Sequence, residues 1–162
     1  MGKKCIKELI KEIKNLEDLK ASVLNFENGN CMSTYQDEKD KIKVDYSFAG
    51  TRAEIQEINN QIRKYKHHIN YANVTVIVPE IGMTIDGCLI DMAQLNNEIM
   101  ILDARSKYQA KTRRSVYSGA VEFTELNYNL DECKLRLKEY KERVQALQIA
   151  IDRINLSFLI EV

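Results

Sequence analysis

The sequence predicts an α+β fold that is mainly α: an antiparallel bundle of about four long, coiled-coil-like helices carrying a small β-hairpin-based sheet. Three observations predict it. Apolar side chains recur at alternating steps of three and four in four separate segments. One intervening stretch changes to a period of two. Breakers are scarce, with 6 Gly and 1 Pro in 162 residues, so little interrupts the helices. The expected organisation is one domain, 1–162, with a hairpin insertion at about 31–49.

The first helical stripe is Ile6, Leu9, Ile13, Leu16, Leu19, Val23 and Phe26, widened by Ile10. After it comes "CMSTY", a polar "QDEKDK" and then "IKVDYSF". In the last of these, Ile42, Val44, Tyr46 and Phe48 share one face, as a half-buried strand requires. "CMSTY" is its expected partner and the polar run is the turn. The second stripe is Ile55, Ile58, Ile62, Tyr65, Ile69 and Ala72, with Thr51 and Glu54 spaced as a capping box. "VTVIV" reads as a short strand or extended linker, and Pro79 delays the next helix to Thr84, its expected N-cap. The third stripe is Ile85, Cys88, Met92, Leu95, Ile99 and Leu102. "AVEFTEL" reads as a third strand through Val121 and Phe123. The fourth stripe then runs Leu130, Cys133, Leu137, Tyr140, Val144, Leu147, Ile151, Ile154 and Phe158, opened by Asn129 and Glu132.

Composition narrows the function classes. Basic and acidic side chains are equal, 24 of each, so bulk charge gives no reason to expect nucleic acid or an anionic membrane. No apolar run approaches a membrane span, and the basic start lacks the unbroken apolar stretch of a signal peptide. Cys5, Cys31, Cys88 and Cys133 form no C-x-x-C pair, so free thiols in a reducing cytoplasm are expected. Cys88 and Cys133 fall on the seams as buried packing, whereas Cys31 is the expected exposed thiol.

Candidate chemistry is sparse. His67 and His68 are adjacent, diverge by about 100° on a helix and lack a third ligand at helical spacing, so the pair is not read as a metal site. No Gly-rich phosphate loop, nucleophile elbow or zincin motif is present. No catalytic, cofactor or metal residue is assigned, and a non-enzymatic protein is expected. The one run suited to nucleic acid is "RSKYQAKTRRSVYSG", where Arg105, Lys107, Lys111, Arg113 and Arg114 occur without an acid and with Tyr108 and Tyr117 interleaved. The competing expectation is a solvated segment balanced by acidic helices nearby.

The central "INYANVTVIVPEIGMTIDGCLIDMAQLNNEI" and the closing "LQIAIDRINLSFLIEV" resemble a septicolysin-like family of small, largely helical bacterial proteins. The matching positions are Ile69, Asn70, Asn73, Thr84, Leu89 and Leu95, then Gln148, Asp152 and Asn155, and the likeness spans 51–162. It departs from the family pattern at Gly87, where an acid would complete a capping box with Thr84. The resemblance implies a helical bundle with long hairpins and carries no activity; its name alone suggests action on membranes. The leading expectation is a cytoplasmic structural or interaction protein that self-associates or binds another protein. A nucleic-acid module using Arg105 to Arg114 is the alternative, and membrane activity a further one.

Overall fold

The computed structural model describes residues 2–117 and 119–162. In chain order the elements are β1 (Lys3–Cys5), α1 (Ile6–Asn30), a 3₁₀ turn (Glu38–Asp40), α2 (Phe48–Thr75), β2 (Ile77–Val78), β3 (Met83–Thr84), α3 (Ile85–Ser106), β4 (Lys111–Ser115), β5 (Val121–Glu125), α4 (Leu130–Ser157) and β6 (Leu159–Glu161). The fold is α+β and mainly α, as the periodicities predict. The strands form separate antiparallel pairs, β1 with β6, β2 with β3 and β4 with β5. The chain groups into two compact units, Met1–Asn73 with Asn155–Val162, and Val74–Ile154.

In the first unit α1 and α2 run antiparallel. Glu17 pairs with Lys66 at 3.0 Å, Lys20 donates to Asn59 at 2.8 Å, and Glu27 pairs with Arg52, so partners ascend one helix as they descend the other. Ile6, Leu9, Ile13, Ile55, Ile58 and Ala72 are buried, following the predicted stripes. The α1 stripe departs from expectation beyond Leu16. Leu19 and Phe26 are about half exposed, at 48% and 51%, while Lys20, Val23, Glu27 and Asn30 turn partly inward. The reason is polar pairing. Lys20 and Glu27 each find a partner on α2, and Glu27 also accepts a 2.9 Å bond from the Tyr46 hydroxyl. Removal from water raises the Tyr46 pKa, and the Glu27 carboxylate adds to it.

The hairpin expected at about 31–49 is absent: no strand occurs between Cys31 and Ser47. Asp37 instead caps the 3₁₀ turn by accepting from the Lys39 amide. The alternating face finds no covering layer, since Ile42 is 78% exposed, and Tyr46 is committed to Glu27. Helix α2 also begins earlier than Thr51. The Ser47 hydroxyl accepts from the Gly50 amide at 3.2 Å and its carbonyl from Thr51 at 2.9 Å. Phe48 therefore enters the helix, and Thr51 is a buried helical residue rather than a cap.

Helix α1 starts through a device the periodicity did not reveal. Glu8 accepts a 2.8 Å bond from the Cys5 amide, the reciprocal half of a capping box. That amide, and then the Cys5 thiol, hold the Glu8 pKa below the ordinary carboxylate value. β1 pairs with β6 through Lys3↔Glu161, Lys4↔Ile160 and Cys5↔Leu159, so this helix start is tied to the end of the chain.

In the second unit α3 and α4 are likewise antiparallel, with Asp91–Arg143 at 3.4 Å between them and Glu80, in the β2–β3 turn that leads into α3, pairing with Arg153 at 3.0 Å. The seam of α4 is buried or half-buried at every predicted position from Leu130 to Ile154; Phe158 alone is more exposed. Leu102, Cys133 and Leu137 form a buried cluster with Ile99 and Tyr140 against it. The Cys133 thiol reaches the Leu102 carbonyl at 3.7 Å, and burial raises the pKa of Cys88. Thr84 caps α3 by accepting from Gly87 at 3.0 Å. A Cβ at position 87 would lie 3.2 Å from that hydroxyl, so Gly87 favours a simple cap over a capping box. Asn129 Oδ1 caps α4, accepting from Asp131 and Glu132 at 2.9 and 3.2 Å.

Two outcomes follow. Leu147 has no exposed surface, so Leu147→Ala should lower unfolding free energy by about 3 kcal/mol, against less than about 1 kcal/mol for Phe26→Ala, measured by urea denaturation. The lowered Glu8 pKa means that its contribution is present at neutral pH and lost as pH falls through its folded-state pKa. Glu8→Gln should therefore reduce the urea midpoint at pH 7, and the gap to the parent should close in acid; a constant gap would contradict the linkage.

Candidate functional site

The basic run singled out in the sequence lies in the second unit, where α3 passes through β4 and β5 into α4. Arg105 is in the last turn of α3 and Lys107 is its C-cap, where positive charge suits the helix dipole. Lys111, Arg113 and Arg114 lie on β4. All five are exposed.

β4 and β5 pair as Lys111↔Glu125, Thr112↔Thr124, Arg113↔Phe123, Arg114↔Glu122 and Ser115↔Val121. The ladder continues at both ends, with Leu126 donating to the Ala110 carbonyl at 3.0 Å and Val116 to Ala120 at 3.1 Å. The reversal uses Gly119 at φ 76°, a left-handed conformation that favours glycine. This hairpin is where "AVEFTEL" predicts a strand. Its partner is the basic run, which the sequence leaves as a loop: Thr112 and Val116 have strand propensity, but the density of Lys and Arg masked it.

The basic side chains meet acids. Lys107 pairs with Asp103 at 2.5 Å, and Lys141 lies 3.8 Å from the same carboxylate. The Lys107 hydrogen bond, followed by its charge, pulls the Asp103 pKa down. Lys111 pairs with Glu125 at 3.2 Å and sits 5.4 Å from the Phe123 ring centroid. Arg114 lies directly across from Glu122. Arg105 instead borders an open cleft of about 230 Å³ with Tyr128, Glu132 and Arg136. The Tyr128 hydroxyl donates to the Arg105 carbonyl at 2.9 Å, and loss of water contact raises its pKa. The five residues thus share one end of the unit without converging on a common point.

The hairpin's surroundings are as informative as its charges. Every residue of β4 and β5 is exposed. Phe123 is 61% exposed, and Val121 and Tyr117 also face outward. Among the described residues, no further strand pairs with either edge.

The histidine pair lies in the first unit on α2, two turns before its end. The rings are 6.3 Å apart and tilted by 52°. His67 is exposed and His68 half-buried. His67 borders a depression with Arg63 and Lys66, cations that disfavour a metal ion there. Among the described residues no group of three His, Cys, Asp or Glu is placed to hold a metal, and no helix is long and apolar enough to cross a membrane. All four cysteines are free, with Cys31 exposed and Cys5, Cys88 and Cys133 buried.

No protein-family profile matches the chain, and no curated protein matches it. The fold is similar to that of a conserved protein of unknown function from Corynebacterium diphtheriae, known from a crystal structure. The TM-score is 0.67 at 14% identity, covering 99% of this chain and 100% of that one. At that identity the likeness is one of fold.

Proposed function

We propose that this protein is a non-enzymatic structural or interaction protein, acting in the cytoplasm through contacts with other protein chains, foremost further copies of itself. The observation that carries this reading is the β4–β5 hairpin: two short strands exposed on both faces, with Phe123 and Val121 in water. An isolated two-stranded hairpin is marginal in water, and exposed apolar and aromatic surface is the usual mark of a protein interface. Phe48, Met100 and Leu156 add exposed apolar surface elsewhere, at 65%, 71% and 56%.

The alternative role in nucleic-acid binding loses support from the ion pairs of Lys107 and Lys111 and from Glu122 opposite Arg114, which oppose a uniform positive surface. Kinship with septicolysin-like proteins, inferred from residues 69–95 and 148–155, adds no activity to this reading.

Light scattering coupled to size exclusion tests the proposal. The expected result is a mass that is a multiple of 18.8 kDa and falls on dilution. An 18.8 kDa species throughout the micromolar range would overturn self-association.

A further inference from the structure

We propose that the hairpin joins copies of this chain head to tail, the β4 edge of one pairing with the β5 edge of the next; this rests on the self-association proposed above. The backbone defines what the edges offer. Residues 110 and 126, and 116 and 120, are hydrogen-bonded across the hairpin. In an antiparallel ladder inward and outward groups alternate. The amides and carbonyls of Lys111, Arg113 and Ser115 therefore point away from β5, and those of Val121, Phe123 and Glu125 point away from β4. Each edge is a row of backbone donors and acceptors ready for another strand.

Charge selects the strand. β4 carries Lys111, Arg113 and Arg114 and no acid; β5 carries Glu122 and Glu125 and no base. Two β4 edges meeting about a two-fold axis would oppose cations, and two β5 edges would oppose carboxylates; like charges directly across a ladder repel. The head-to-tail arrangement alone sets opposite charges against each other. It also repeats between copies what the hairpin already makes within one: Lys111 beside Glu125 at 3.2 Å and over Phe123 at 5.4 Å. Phe123 and Val121 lie on the same face as Lys111 and Arg113, so the alkyl stems of the next copy can cover them. The pairing is heterologous, and copies joined this way form a ring where the rotation closes.

Proline tests this without touching the internal ladder, because the amides of residues 113 and 123 both face outward. Arg113→Pro disables the β4 edge and Phe123→Pro the β5 edge. Head-to-tail pairing predicts that either variant alone is monomeric by light scattering, with the parent's helical circular dichroism. If only one variant loses assembly, the pairing is between like edges and the proposal fails. If both keep it while the parent assembles, the hairpin is not the interface, and self-association survives without this proposal. A monomeric parent removes both.

Disulfide trapping covers the case in which a proline disrupts the hairpin. In a Cys31→Ser background, a pool carrying Thr112→Cys is mixed with one carrying Glu122→Cys or Thr124→Cys, then oxidised. Adjacent strands lie within disulfide reach, whereas equivalent strands of successive copies lie about 9–10 Å apart, beyond it. Covalent dimers should form in a mixed pool and in no single pool. Dimers in the single pools, or none in either mixture, overturn the proposal.

Discussion

Each helix of this protein carries one narrow apolar stripe, and the need to hide it is the constraint from which the rest of the structure follows. A seam at alternating steps of three and four covers too little of a helix for stability in isolation. In the second unit α3 and α4 answer this by running antiparallel, so that Leu102, Cys133 and Leu137 meet in one cluster. The ion pairs Asp91–Arg143, between the helices, and Glu80–Arg153, from the β2–β3 turn to α4, add little energy, but they favour this alignment. In the first unit the stripe is apolar near Ile6 and increasingly polar toward Asn30. There Lys20 and Glu27 occupy the inward positions, and their bonds to Asn59, Tyr46 and Arg52 take over from packing.

The α1–α2 and α3–α4 connections solve different problems with similar raw material. Residues 42–48 have the alternation of a strand but are drawn back onto the helices by Tyr46 and Ser47, and so form no ladder. Residues 107–129 have no comparable tether along β4 and β5, and two segments of opposite charge pair with each other. The same complementarity that closes this hairpin leaves it with one basic and one acidic edge. The proposed assembly follows from that asymmetry.

The helices were legible in the sequence because burial of a stripe leaves a periodic trace over many residues. The α4 seam from Leu130 to Ile154 and the caps at Thr84 and Asn129 lie where the pattern places them. What escaped the sequence is what depends on partners distant in the chain. Leu19 and Phe26 fit the period but lose the inward positions to Lys20 and Glu27, whose partners lie on α2. Ser47 displaces Thr51 as the start of α2 because its hydroxyl and carbonyl accept from the Gly50 and Thr51 amides. Cys5 and Glu8 are unremarkable apart from their spacing. Of the candidate site, the strand at Val121 and Phe123 and the unusual charge of the basic run were visible. That the two pair with each other was not, because cross-strand pairing leaves no periodic trace in either segment.

The proposed assembly requires the edges of β4 and β5 to be covered by neighbouring copies. Residue-resolved amide hydrogen exchange at low and high protein concentration tests this directly. In head-to-tail assembly the outward amides of Lys111, Arg113, Ser115, Val121, Phe123 and Glu125 should gain protection as concentration rises, while those of Leu137 and Leu147 stay equally slow at both. Fast exchange of the six edge amides at every concentration would contradict it.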